Sequence, residues 1–482
     1  MDNSEGVLNT MQVVLMGMTI ANFLLNTGRL SPAIELCKEC LNLLNSQALD
    51  KDGQITHSIL VKRIYTIMAT AKEKYVRELL LLYQDSDDTF QLGRLNLLLA
   101  TTLHTQTKFV EAREFYERAI NIMKTNDDKR GKAICFRNLA TLLYSLGEYD
   151  KYKEYLEKAL AIRTQIGDRV GEALHYRELG GLSILRGNYD KAQEYIKKAL
   201  AIRTQIGDRK GEGMEHGFLG TVSQMLGNYD QARKYHEKAL AIRLEIGDRE
   251  GEAADYENLG TVFRSLGNYD KAQEYYKKAL VITLETGDIK GEAKIYGNLG
   301  TVFRLLGDYD QAQECYKKAL AIRQEIGDRV GQAADYNNLG TVFQFHGNYD
   351  QAQEYYKKAL AISLETGLRQ GEAAVYGNLG TVFQSLGNYD MAQEYYNKAL
   401  AIRMEIGDRA GEAVDYGNLG TVFQSLGKYN MAHEYYKKAL AITMEISDRR
   451  GEAADYGCLG SVFQSLEWKL VTEQEKQRIM EI

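Results

Sequence analysis

The chain has 482 residues, 26% of them charged, with a formal net charge of −6, one proline, 44 glycines and 33 tyrosines. So mild an acidity exerts no general pull toward phosphate backbones or anionic lipid, which argues against nucleic acid as a partner. A single proline among many glycines suits helices separated by glycine-marked turns, rather than the roughly two to four globular domains that this length would ordinarily suggest.

Taken in chain order, the first apolar stretch is Val13 to Leu25. It has thirteen residues, includes Thr19 and Asn22 and lacks a basic lead-in, so it predicts a core helix, not a membrane span or a signal peptide. Leu30, Ala33, Cys37 and Cys40 follow at helical spacing, with Pro32 in the first turn. Gln54 to Asp88 is helical in pattern but a doubtful repeat, and Phe109, Ala112, Tyr116 and Ala119 restore the earlier spacing.

From there a fixed period takes over. Glycine recurs at Gly147, Gly187, Gly227, Gly267, Gly307, Gly347, Gly387 and Gly427, forty residues apart, and the units from about Lys132 to Ser447 are close copies. A period of this size means a repeat array. In the unit running from Gly331 to Arg369, Tyr336, Leu339, Gly340 and Phe343 form one helical stripe, and Tyr349, Ala352, Tyr356 and Ala359 form a second. Gly347 stands where the first helix needs a left-handed residue, Asn348 can cap the second, and Gly367 closes it. Asp350 and Glu354 early and Lys357 and Lys358 late complement the dipole of that second helix. At the far end Gly451 to Leu466 repeats the first helix, after which Glu467 and Trp468 break the pattern.

These eight stripe residues, in order and spacing, resemble the signature of tetratricopeptide repeats, and they recur from unit to unit. The extra residues around the Gly-Asp-Arg-x-Gly-Glu connection, as at Gly327 to Gln332 where Gln replaces Glu, resemble the forty-residue subclass found in Pins-type G-protein-signalling modulators and in proteins similar to tetratricopeptide repeat protein 28. The resemblance implies an all-α fold, a right-handed superhelical solenoid of antiparallel helix pairs. It divides the chain into divergent N-terminal helical repeats (1–130), tandem forty-residue repeats (131–466) and a C-terminal capping helix or truncated repeat (467–482).

The search for chemistry returns core positions. Cys37 and Cys40 form a Cys-x-x-Cys, but they occupy places held elsewhere by Tyr356 and Ala359 and have no second cysteine pair nearby, so core packing is expected rather than zinc or redox work. The five cysteines (with Cys135, Cys315 and Cys458) are irregularly spaced, which points to a reducing compartment and a cytoplasmic location. The seven histidines lack metal-ligand spacing, and Gly211, Gly213 and Gly217 lack the context of a phosphate loop. No metal, no cofactor, no catalytic residue and no membrane insertion are expected. One tyrosine of pairs such as Tyr275 with Tyr276 lies in the packing stripe, and lysine pairs such as Lys277 with Lys278 read as a solvated face.

The resemblance implies that a further set of first-helix positions lines a concave groove that receives proteins or peptides. Carried over by position, these are Asn258, Asn298, Asn338, Asn378 and Asn418, with Asn138 earlier; Thr261, Thr301, Thr341, Thr381 and Thr421; and Arg264, Arg304, Gln344, Gln384 and Gln424. A ladder of amides suits an extended peptide, because each offers a donor and an acceptor to an unpaired backbone, and Arg264 with Arg304 suits a carboxylate. The alternative is that each asparagine hydrogen-bonds within its own hairpin. Four residues before each asparagine, where the Pins-type ladder has arginine, this chain has Ala254, Lys294, Ala334, Ala374 and Val414. Nor does the stretch after the repeats resemble Gα-binding segments, so the Pins partners are not carried over. The expected function is a non-enzymatic protein-interaction scaffold. The alternative is a ligand-sensing or regulatory module of a larger protein.

Overall fold

A computed structural model describes residues 3–26, 29–45, 51–84, 86, 88–446 and 448–480. The chain falls into two compact units, Met1–Asp248 and Arg249–Ile482. The described residues form helices joined by short turns, with no strand among them.

Unit 1 begins with α1 (Asn3–Asn26), α2 (Leu30–Asn45) and α3 (Lys51–Tyr83). Hairpins follow: α4 (Thr89–Thr105) with α5 (Phe109–Thr125), α6 (Lys129–Ser145) with α7 (Tyr149–Gln165), α8 (Arg169–Leu185) with α9 (Tyr189–Gln205), and α10 (Arg209–Met225) with α11 (Tyr229–Ile246). Unit 2 continues the plan with α12 (Arg249–Ser265) and α13 (Tyr269–Thr286), α14 (Ile289–Leu305) and α15 (Tyr309–Glu325), and α16 (Arg329–Phe345) and α17 (Tyr349–Thr366). Then come α18 (Arg369–Ser385) and α19 (Tyr389–Ile406), α20 (Arg409–Ser425) and α21 (Tyr429–Glu445), and the long α22 (Arg449–Met480). Within each unit every helix packs on its predecessor and its successor, the arrangement of an all-α solenoid.

The stretch from Gln54 to Asp88, a doubtful repeat by pattern, contributes most of its residues to the single 33-residue helix α3. Cys37 and Cys40 are buried with Val14, Ala33 and Ile64, the core role expected of them. The segment after Leu466 continues α22 without a break as far as Met480. Among the described residues no helix is long and apolar enough to cross a membrane.

Each hairpin from α12 to α21 closes around one contact. Tyr356 of α17 is fully buried beneath Gly340 of α16, where an added β-carbon would stand 2.6 Å from the ring. Val375, Leu379 and Val382 of the next hairpin pack in one core cluster with the ring, and the phenol meets the Thr341 hydroxyl at 3.1 Å. Tyr276, Tyr316, Tyr396 and Tyr436 repeat the arrangement under Gly260, Gly300, Gly380 and Gly420. The neighbouring Tyr355 stacks on Phe343 with ring centroids 5.2 Å apart, and Tyr275 stacks likewise on Phe263.

The turns use the residues that the spacing assigned to them. Gly347 has φ +74°, and the Asn348 side chain accepts the Gln351 amide at the start of α17. In the connection between hairpins, Asp328 Oδ1 accepts the Gly331 amide at 2.9 Å, an approach that leaves no room for a β-carbon at residue 331. Arg329 then bridges Gln332 and, at the far end of the same hairpin, Glu365. The equivalent pairs Arg249–Glu285, Arg369–Glu405 and Arg409–Glu445 are solvent-exposed and contribute little individually.

Among the described residues of unit 1, one buried acid lacks good partners. Glu215 of α10 has a fully buried side chain, with Arg177 Nη1 at 3.6 Å and Arg203 Nε at 4.0 Å, and neither of its carboxylate oxygens has a hydrogen-bond partner among the described residues. Burial pushes its carboxyl up to about 7, against the pull of the two arginines. The folded value lies above the unfolded one of about 4.3, so the stability it contributes is fully present below that value and is lost as pH rises through about 7. The urea midpoint of unit 1 should therefore fall between pH 5 and pH 8, and Glu215→Gln should flatten that fall. In unit 2, Gly340→Leu should drive the buried Tyr356 ring from its seat and cost about 3 kcal/mol, read as a lower urea midpoint. Gly417→Ala, where an added β-carbon meets nothing within 4 Å, should instead raise stability by about 0.5–1 kcal/mol.

Candidate functional site

In unit 2 the first helices of successive hairpins touch one another, α12 with α14, α14 with α16, α16 with α18 and α18 with α20. The polar positions singled out from the sequence lie on these helices, except Asn138 on α6, and are half-buried. Successive hairpins thereby bring the same three residue types into adjacent rows, one of asparagine, one of threonine and one of arginine or glutamine.

The threonine row is largely committed to the fold. Thr301, Thr341, Thr381 and Thr421 donate to the carbonyls of residues four earlier in their own helices, and each hydroxyl also meets the phenol of its hairpin's tyrosine at 3.0–3.1 Å. Thr261 does the same with Glu257 and Tyr276. In the third row, Gln344 and Gln384 each accept a hydrogen bond from the same phenol at 2.8 Å, and Gln424 accepts one from Tyr436 at 3.0 Å. The glutamines are drawn inward because a buried phenol needs an acceptor. The Gln424 amide nitrogen donates in turn to the Ser461 hydroxyl of α22 at 3.1 Å.

Where that row carries arginine, the guanidinium replaces the amide beside the phenol. Burial pushes the Tyr276 and Tyr316 phenols up, and Arg264 and Arg304 oppose it. Nε of Arg304 is buried without a hydrogen-bond partner among the described residues.

The asparagine row is not uniform. Asn298 Nδ2 donates to Glu257 Oε1 of the preceding hairpin at 3.1 Å, and Lys294 pairs with the same carboxylate at 2.8 Å. Asn378 Nδ2 donates to Asn337 Oδ1 at 2.9 Å. These bonds run between hairpins, so two of the amides fall under neither simple expectation: they are engaged by the fold, but not within their own hairpin. At Asn338 and Asn418 the corresponding residues of the preceding hairpin are Gly297 and Gly377, which carry no side chain to hold them. In unit 1 the row reads Asn138 and then Glu178, whose carboxylate is shared by Arg137 at 2.9 Å and His175 at 3.0 Å. Sequence reasoning treated the rungs as equivalent and missed Glu257, Asn337 and the two glycines. The signal was the residue immediately before each asparagine, which varies while its neighbours stay constant.

Among the described residues no group of three or more His, Cys, Asp or Glu side chains is placed to hold a metal ion. The face offers hydrogen-bond donors and acceptors and two cationic groups.

Comparison with known proteins agrees with this geometry. The family model described as Tetratricopeptide repeat matches residues 91–165, 136–205, 213–283, 291–365 and 371–445. No curated protein is significantly similar to the chain. Among solved structures, the apo form of the quorum sensor NprR from B. thuringiensis is similar at 14% identity with a TM-score of 0.53, covering 75% of this chain and 99% of that one. The protein PH0952 from Pyrococcus horikoshii, a signal transduction ATPase with a tetratricopeptide repeat sensor, is similar at 16% identity with a TM-score of 0.51, covering 75% of this chain and 55% of that one. At these identities the likeness concerns the fold alone. The matched repeats, the buried tyrosine beneath its glycine and the stacked hairpins place the chain in the tetratricopeptide repeat family.

Proposed function

We propose that this chain is a non-enzymatic interaction scaffold that holds an extended or helical peptide segment along the first-helix face of unit 2. The observation that carries the reading is the row of half-buried amides. A flat array of donors and acceptors at regular intervals suits a partner whose own backbone groups are unpaired and also regular, which describes a peptide better than a small metabolite. Asn338 and Asn418 are the rungs on which it chiefly depends, because no side chain at Gly297 or Gly377 ties them to the stack. Arg264 and Arg304 add cationic groups to a groove in which Glu257 and Lys294 pair with each other, and suit a carboxylate on the partner. Its polar character and its lack of a basic excess favour protein over nucleic acid.

A sensor reading, in which the peptide changes how the hairpins stack, is consistent with the likeness to two proteins described as a quorum sensor and a repeat sensor. Both readings use the same face.

The test is a crosslinked pull-down from cytosol with purified wild type and with the Asn338→Ala/Asn418→Ala double variant, followed by affinity measurement on the peptides captured by the wild type. Two lost hydrogen bonds at about 1 kcal/mol each predict a 10- to 30-fold weaker Kd, with an unchanged melting temperature. Equal affinity in the folded variant would place the working surface elsewhere.

A further inference from the structure

Three positions of unit 2 vary together, and with a period of eighty residues rather than forty. The second-helix residue that faces the next hairpin reads Thr283, Arg323, Ser363, Arg403. The first-helix residue it meets, twelve positions later, reads Ile295, Asp335, Val375, Asp415. The groove residue of its own hairpin reads Glu257, Gly297, Asn337, Gly377.

The contacts explain why the three change as a set. Arg323 Nη1 donates to Asp335 Oδ1 at 2.6 Å, and Arg403 Nε lies 3.0 Å from Asp415 Oδ2, both aspartates being fully buried. Each pair lies against a glycine of the previous first helix: a β-carbon at Gly297 would stand 3.7 Å from Arg323 Nη2 and 3.9 Å from Asp335 Oδ1, and one at Gly377 would stand 3.5 Å and 3.7 Å from the matching atoms. A longer side chain there would enter the space the pair occupies. At the other junctions the small buried Thr283 and Ser363 accompany the apolar Ile295 and Val375. There the groove position is filled by Glu257 and Asn337, which reach across to hold Asn298 and Asn378.

Across the four junctions from Thr283 to Asp415 the two types do not mix. An arginine set against Val375 would be a buried charge without a partner, and Asp335 without its arginine would be another, each far more costly than the matched pair is favourable. Fixing register is the best-attested use of such buried polar pairs. We infer that the building block of unit 2 is an eighty-residue pair of hairpins, and that its alternating ionic and neutral junctions dictate which hairpin can follow which. The alternation reaches the groove as well, since the glycines of the ionic junctions are the ones that leave Asn338 and Asn418 untied. The alternation ends at the last junction, where Thr443 of the neutral type meets Gly417 and Asp455 of the ionic type, and its hydroxyl donates to Asp455 Oδ2 at 3.0 Å.

The block structure is tested by excision from the full chain. Deleting 324–403 removes one whole block and brings Arg323 against Asp415. Deleting 324–363, with Leu368→Asp so that both variants keep an aspartate cap, removes one hairpin and brings Arg323 against Val375. A shorter array is ordinarily the less stable, yet here the eighty-residue deletion should unfold at the higher urea concentration, and adding Arg323→Ser to the forty-residue deletion should raise its midpoint. The reverse order of midpoints, with no gain from Arg323→Ser, would overturn the inference. Should either deletion fail to fold, a double-mutant cycle in the full chain decides: Arg403→Ser and Asp415→Val should each lower the urea midpoint, and the double variant should recover at least half of the summed loss, whereas additive losses would overturn it.

Discussion

Unit 2 rests on the contact between a helical glycine and a buried tyrosine ring. Gly340 lets α16 and α17 approach until the Tyr356 ring fills the space that a side chain would otherwise take. Because the ring is fully buried, its phenol must be satisfied, and that demand propagates: it engages Thr341 and Gln344 and so fixes the polar face of α16. One hydroxyl ties the core to the polar row of the first helix.

The same economy governs the connections. The aspartate at the end of one hairpin caps the next helix, the glycine three residues later gives it room, and the arginine between them reaches both the following turn and the distant end of its own hairpin. The residues beyond the shorter repeat are thus structural. They lengthen the hairpin and bridge its open end.

Between hairpins, affinity alone would not specify order, because nearly identical units can stack in any sequence. Buried charge supplies the discrimination that hydrophobic area lacks, since apolar faces tolerate many partners whereas an unpaired buried charge tolerates almost none. The stack thereby gains a direction and a phase, and the groove inherits both. Of the four amides in successive hairpins, Asn298 and Asn378 hold neighbouring hairpins together while Asn338 and Asn418 stand beside glycine.

The sequence by itself determined the hairpins, their turns and their core. Gly347, Asn348, Tyr356 and Gly340 act within a few residues of one another along the chain or at fixed helical offsets, and such local geometry is written directly in spacing. It also displayed the alternation of Arg323 with Ser363 and of Asp335 with Val375, although a reading by repeat position averages such differences away. What only the tertiary structure decided is which polar groups are spent. Asn298 finds Glu257 forty-one residues earlier, and Gln344 turns inward to a phenol on another helix. Those partners are chosen by the distance between packed helices, a quantity that no spacing along a single chain contains.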